Sequence, residues 1–161
     1  MDSKAIATAL EAKYPSKPLH LDSPILAKLE GLMPKHYQAM MAVLIPRVPR
    51  VILNEASIPY FEETRKEWYG MSLAEFEKVK GGEDAWVAGM EIFKEIAALL
   101  NETKGPYFMG DEVSYADINL VAMFQFYKCA GDDVFDRLMA IDASFPALFK
   151  AAGPWLERDG H

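Results

Sequence analysis

Apolar residues recur along this chain at spacings of three and four, and hardly ever at the alternation that marks a strand. Ile6, Leu10 and the Lys13-Tyr14 pair form a first stripe, and the run Tyr14-Pro-Ser-Lys-Pro18 ends it, because a residue before proline is pushed out of the helical region. A linker over 15–23 follows. Ser23-Pro24 then reads as an N-cap and a proline in the first turn of a new helix. The stretch ILAKLEGLMPKHYQAMMAVLIP predicts a helix, a break or kink near Pro34, and a second helix ending around Pro46.

Ser57 is the expected cap of the next helix, with Pro59 in its first turn and Gly70 as its left-handed stop. Leu73 and Phe76 mark a short piece before Gly81-Gly82. Over 83–104, Trp86, Met90, Phe93, Ala97 and Leu100 share one face, with Glu91, Lys94 and Glu95 opposite, which predicts a long amphipathic helix.

After the turn TKGPYFMGD, Ser114 and Asp117 occupy the N-cap and N3 positions of a capping box, and Val113 and Ile118 stand where a hydrophobic staple would close. Ile118, Leu120, Val121, Met123, Phe124 and Phe126 point in nearly every direction around the helix that follows. A helix apolar all round is a buried one, so this is the expected centre of the domain. Two shorter helices are expected over 134–140 and 145–152, with Pro154 preventing the last from continuing. The pattern as a whole predicts an all-α fold of about eight helices.

Charge and composition narrow the function. A net charge of −7 with no basic stripe argues against nucleic acid. No apolar run is long enough to span a membrane. The opening residues lack the order of a secretory leader, and the single cysteine, Cys129, cannot close an internal disulfide; both favour the cytoplasm. Cys129 lies late in the buried helix and is expected to be an inert core thiol. The three histidines, His20, His36 and His161, show no metal-ligand spacing, so no metal is expected.

The stretch GPYFMGDEVSYADINLVAMF resembles the segment of glutathione S-transferases in which a Gly-Asp turn leads into a Ser-x-x-Asp cap on a buried central helix. The opening DSKAIATALEAKYP resembles the last helix of that family's thioredoxin-like half. LIPRVPRVILNEASIPYFEETRKEWYG and the ending PWLERD are similar to the fungal branch related to bacterial β-etherases. The resemblance implies that 1–14 is the last helix of a thioredoxin-like domain, 15–23 a linker, and 24–161 the C-terminal helical domain. The thioredoxin-like remainder, with its thiolate-stabilising residue, would then be missing from this sequence. The Val48-Pro49 pair is no substitute for that half's cis-proline loop, since it sits at a helix end with no strand after it.

The resemblance also implies roles. Asp2 and Ser3 would hold the γ-glutamyl end of glutathione, the carboxylate taking the ammonium and the hydroxyl and free helix N–H groups taking the carboxylate. Read without the resemblance, the same pair is an ordinary N-cap. Met40, Met41, Leu44 and Arg47 would line an acceptor pocket, with Tyr60, Tyr127 and Phe126 as aromatic walls. Core packing is the competing reading for each, and a helix C-terminus alone would favour Arg47 and Arg50. Ser114, Asp117, Val113 and Ile118 are expected to be structural, and no catalytic residue is assigned.

Two functions remain open at this level. One is a glutathione transferase in full-length form, with glutathione as co-substrate, a small electrophile as acceptor, a dimer as a possible state, and this chain inactive by itself. The other is a non-catalytic helical binding or assembly module, for which the apolar face of Ile6, Leu10 and Tyr14 would be the surface to cover.

Overall fold

Ser23 opens the longest helix as expected: its side chain accepts from the Ile25 N–H at 3.1 Å, with Pro24 in the first turn. The structure, a computed structural model, describes residues 3–157. Its helices are α1 (Ser3–Lys13), α2 (Pro24–Leu44), α3 (Val48–Val51), α4 (Ile58–Tyr69), α5 (Leu73–Lys80), α6 (Glu83–Leu100), α7 (Tyr115–Ala130), α8 (Asp132–Met139), α9 (Ser144–Ala151) and α10 (Gly153–Leu156). Two 3-10 turns, Ile45–Arg47 and Glu55–Ser57, complete the described elements, and no strand longer than an isolated bridge occurs among them. The fold is all-α, with α3 and α10 single turns.

The break expected at Pro34 does not occur; α2 runs through it. Position 34 offers no N–H to the Glu30 carbonyl, and an interior proline costs about 3 kcal/mol or more. Leu29, Leu32, His36, Met40 and Val43 are buried along the same helix. Each large apolar side chain among them contributes about 1.5–3 kcal/mol, so packing outweighs the lost bond. The α2–α6 contact is close because Gly89 leaves room: a Cβ there would stand 2.6 Å from Met40 Sδ.

Other boundaries move for local reasons. Ser57 makes no side-chain cap; Asn54 Oδ1 accepts from the Ser57 N–H at 3.0 Å and starts a 3-10 turn that runs into α4. Gly70 closes α4 at φ +70°, as expected. Helix α6 stops at Leu100, short of the predicted 104, because Asn101 Nδ2 turns back to the Ala97 carbonyl at 2.9 Å. Helix α9 ends at Ala151, ahead of Pro154 as expected, and Pro154 sits in the first turn of α10, where Trp155 stacks on Tyr107 with ring centroids 5.9 Å apart. Val48 and Pro49 lie in the helical turn α3.

Helix α7 is the centre of the fold. Leu120, Val121, Phe124 and Tyr127 are buried against α6 residues such as Phe93 and against Phe145 of α9. It is not buried all round: Ile118 and Cys129 are exposed. The expectation of a core thiol is thereby corrected. Cys129 falls on the outer side, between exposed Lys128 and buried Ala130, where Gln125 Nε2 approaches its sulfur at 3.7 Å.

The start of α7 is held from three directions. Asp117, fully buried, accepts from the Ser114 N–H (2.7 Å) and hydroxyl (2.6 Å) through Oδ2, and from the Phe108 N–H (2.9 Å) through Oδ1. The Tyr115 N–H donates to the Leu19 carbonyl at 2.8 Å, and the Leu19 N–H donates to Glu11 of α1 at 2.6 Å. The segment between α1 and α2 is thus pinned to both α1 and α7.

Candidate functional site

Helix α2 has two apolar faces. One carries Leu29, Leu32, His36, Met40 and Val43 into the core. The other carries Met33, Pro34, Tyr37, Met41 and Leu44 along a groove, whose far wall is Asn119, Ala122, Met123 and Phe126 of α7. The cleft between them holds about 620 Å³, within the range of small-molecule sites. Its wall is thioether, ring and aliphatic carbon, which suits apolar ligands of varied shape.

Few polar groups interrupt that wall. Tyr37, half of whose surface is exposed, hydrogen-bonds Tyr69 at the end of α4. Burial first, and then this bond, push the Tyr69 hydroxyl up to about 12. Tyr69 in turn stacks on Phe76 of α5 at 4.2 Å. Beneath the cleft His36 Nε2 and the Tyr127 hydroxyl lie 2.9 Å apart. Burial lowers the His36 pKa to about 4 and raises that of Tyr127, so both are neutral at pH 7.

At one end of the cleft stands Glu30, the only ionisable carboxylate among its described lining residues. Lys4 Nζ reaches both of its carboxylate oxygens at 2.8 Å. Lys4 follows Ser3, so this ion pair brings the first turn of α1 to the end of the cleft.

The residues singled out from the sequence are distributed as follows. Met41 and Leu44 line the cleft, as does Phe126. Met40 does not; it is fully buried against Gly89 on the opposite face of α2. Tyr127 is likewise buried, one turn inward from the cleft, with its hydroxyl on His36. Tyr60 is 71% exposed on α4 and lies outside the cleft lining.

Arg47 is engaged elsewhere. Its Nη1 and Nη2 donate to Asp133 Oδ1 and Oδ2, each at 2.7 Å, a bidentate clamp across the α7–α8 turn. The guanidinium holds the Asp133 carboxyl below its ordinary value. Arg50 donates to Glu77 and to the Pro46 carbonyl.

Ser3 is exposed at the start of α1, and Asp2 lies outside the described residues. Ser114 and Asp117 form the capping box of α7, with Val113 half-buried beside it and Ile118 at the surface. Among the described residues no three His, Cys, Asp or Glu side chains are grouped for a metal. No helix among them is long and apolar enough to cross a membrane.

Sequence reasoning missed Glu30, Met33, His36, Tyr37, Asn119 and Met123 as cleft residues. Most of the signal was present: stepping back from Leu44 and Met41 by three and four reaches Tyr37, Pro34, Met33 and Glu30. The expected break at Pro34 obscured that continuous face.

This helical frame, with an apolar cleft between two crossing helices and a short helix bracing its end, defines the class. Residues 29–145 match the family model described as "Glutathione S-transferase, C-terminal domain", and the chain belongs to that family. The structure is similar to that of the glutathione transferase GSTFuA3 from Phanerochaete chrysosporium, at 27% identity and a TM-score of 0.76, over 93% of this chain and 62% of that one. It is similar also to the glutathione S-transferase CsGST63524 of Ceriporiopsis subvermispora, solved in complex with glutathione, at 25% identity and a TM-score of 0.74, over 99% of this chain and 66% of that one. The chain therefore spans less than two thirds of the length of either protein. No curated protein matched the sequence.

Proposed function

We propose that this chain supplies the acceptor cleft, and part of the grip on glutathione, of a glutathione transferase. In that reaction a glutathione thiolate attacks an electrophilic carbon, the new carbon–sulfur bond forms, and the leaving group departs with the bonding electrons. A thiolate at neutral pH needs a donor or a positive dipole aimed at sulfur. We assign that task to a thioredoxin-like portion outside this sequence, and take the chain alone to be inactive. Asp2, Ser3 and the first N–H groups of α1 would receive the γ-glutamyl end. Met41, Leu44 and their neighbours would receive an apolar or aromatic acceptor. The same reading has the protein working in the cytoplasm and allows two copies to pair. The stretch LIPRVPRVILNEASIPYFEETRKEWYG further suggests the branch related to β-etherases.

The observation that carries the reading is spatial. The ion pair from Lys4 to Glu30 sets the first turn of α1 at the end of the apolar cleft, so glutathione held at one would present its sulfur toward the other. The test is calorimetric titration with glutathione and with S-hexylglutathione, whose alkyl chain extends from sulfur. S-Hexylglutathione should bind more tightly than glutathione. Ala122→Trp, which fills the groove from an exposed position, should erase that gain, and Asp2→Ala with Ser3→Ala should weaken both ligands. Equal binding of the two, unaffected by Ala122→Trp, would refute the reading.

A second reading, a non-catalytic helical binding module, is favoured by one observation. Ile6 and Leu10 of α1 and Tyr14 just after it are 43%, 50% and 58% exposed and form an uncovered apolar face. Absence of binding by either glutathione ligand would favour it.

A further inference from the structure

The acceptor is limited in charge as well as in polarity, and the limit is legible in the groups that line the cleft. Its wall is almost wholly apolar, and no lysine or arginine is among its described lining residues. An ionised ligand entering there would shed water without a countercharge to replace it. The one basic side chain on the adjoining 3-10 turn, Arg47, is already clamped bidentate by Asp133 and faces the α7–α8 turn. The ionised group that does line the cleft is Glu30, whose oxygens Lys4 holds from the α1 side. The pair is about half solvated at both ends, with side chains 46% and 36% exposed. Glu30, the negative member, thus belongs to the cleft lining, and Lys4, the positive member, does not.

We propose that Glu30 is a specificity-determining residue: the cleft accepts uncharged aromatic electrophiles, tolerates cationic ones next, and rejects those bearing a carboxylate. This rests on the reading of the cleft as the acceptor site. Besides His36, whose Nε2 is taken by the Tyr127 hydroxyl, the remaining polar lining groups are Tyr37 and Asn119. They provide hydrogen bonds for a neutral ether, carbonyl or hydroxyl without favouring either sign of charge.

The experiment measures binding of three matched naphthalene probes to the full chain, carrying a hydroxymethyl, an aminomethyl or a carboxylate group. The hydroxymethyl probe should bind most tightly and the carboxylate least. Glu30→Gln should cut the preference for ammonium over carboxylate by about threefold to tenfold, the range expected of one charge a few ångströms away in a half-solvated groove. Exchanging the pair, Lys4→Glu with Glu30→Lys, keeps the bridge and should reverse the preference. Probes that bind, and are displaced by Ala122→Trp, but whose charge preference is untouched by Glu30→Gln and by the exchange, would overturn the proposal while leaving the acceptor cleft intact. Probes whose binding ignores Ala122→Trp, or that do not bind at all, would overturn the acceptor cleft itself, and this inference with it.

Discussion

His36 of α2 and Tyr127 of α7 meet through a 2.9 Å hydrogen bond directly beneath the apolar cleft, and Phe93 of α6 lies edge-on against the imidazole at 5.4 Å. Three helices that build the centre of the molecule thus converge on one neutral polar pair. Burial there disfavours the imidazolium, and its pKa falls from 6.5 to about 4.

The first prediction concerns acid. Between pH 6.5 and about 4 the unfolded chain binds a proton at His36 that the folded chain refuses. Stability therefore rises with pH across that window and is fully present above it. The difference is about 3 kcal/mol at most. The lowered carboxylates, Glu75 and Glu83 among them, lose their contribution only below their ordinary 4.5. Urea unfolding at pH 7, 6 and 5 should show the midpoint falling in the wild type. His36→Gln, which does not titrate, should lie nearly flat over the same range.

Removing the other half of the pair isolates the bond itself. Tyr127→Phe keeps the ring and leaves the buried imidazole nitrogen without its partner, which should cost about 1–3 kcal/mol. A double-mutant cycle with His36→Gln at pH 7 should return a favourable coupling. Strict additivity would show that the pair is packed but not bonded.

Asp117 should matter more. Its carboxylate accepts from two backbone N–H groups and one hydroxyl, all buried. Asp117→Ala leaves the N–H groups of Phe108 and Ser114 unpaired, an expected loss of about 2–4 kcal/mol. Thermal unfolding reads this directly. Ligand binding measured well below the new transition should change little, because Asp117 is not among the cleft lining.

Gly131 tests the Arg47 clamp. Its φ is +145°, and a Cβ there would stand 2.7 Å from Asp133 Oδ1 and 2.9 Å from Arg47 Nη1. Gly131→Ala must both strain the backbone and push the ion pair apart, at a cost of about 1–3 kcal/mol. In an Arg47→Ala background the second effect is absent, so the penalty measured by chemical denaturation should shrink. An equal penalty in both backgrounds would assign it all to backbone strain.

Where sequence reasoning succeeded, the information was local. Ser23-Pro24, Gly70 and the Ser114–Asp117 box mark helix ends because capping is settled within a few residues. Ser72–Glu75, a Ser-x-x-Glu box at the start of α5, is a local signal of the same kind. At Pro34 the local penalty predicts a break, and packing of α2 against the core overrides it.

The division is plainest at Met40 and Met41. That both lie on one helix of an all-α domain follows from periodicity and caps, which are properties of neighbouring residues. Met40 turns into the gap above Gly89 and Met41 faces the cleft, a choice made by the packing of α2 against its neighbours. A two-faced apolar helix can be rotated between its neighbours until α6 and α7 are in place. The same holds for Arg47, whose partner Asp133 lies 86 residues away, for Tyr127 on its distant histidine, and for Glu30, paired with Lys4 of another helix. Contacts across such distances are set by how helices pack, and no local pattern encodes them.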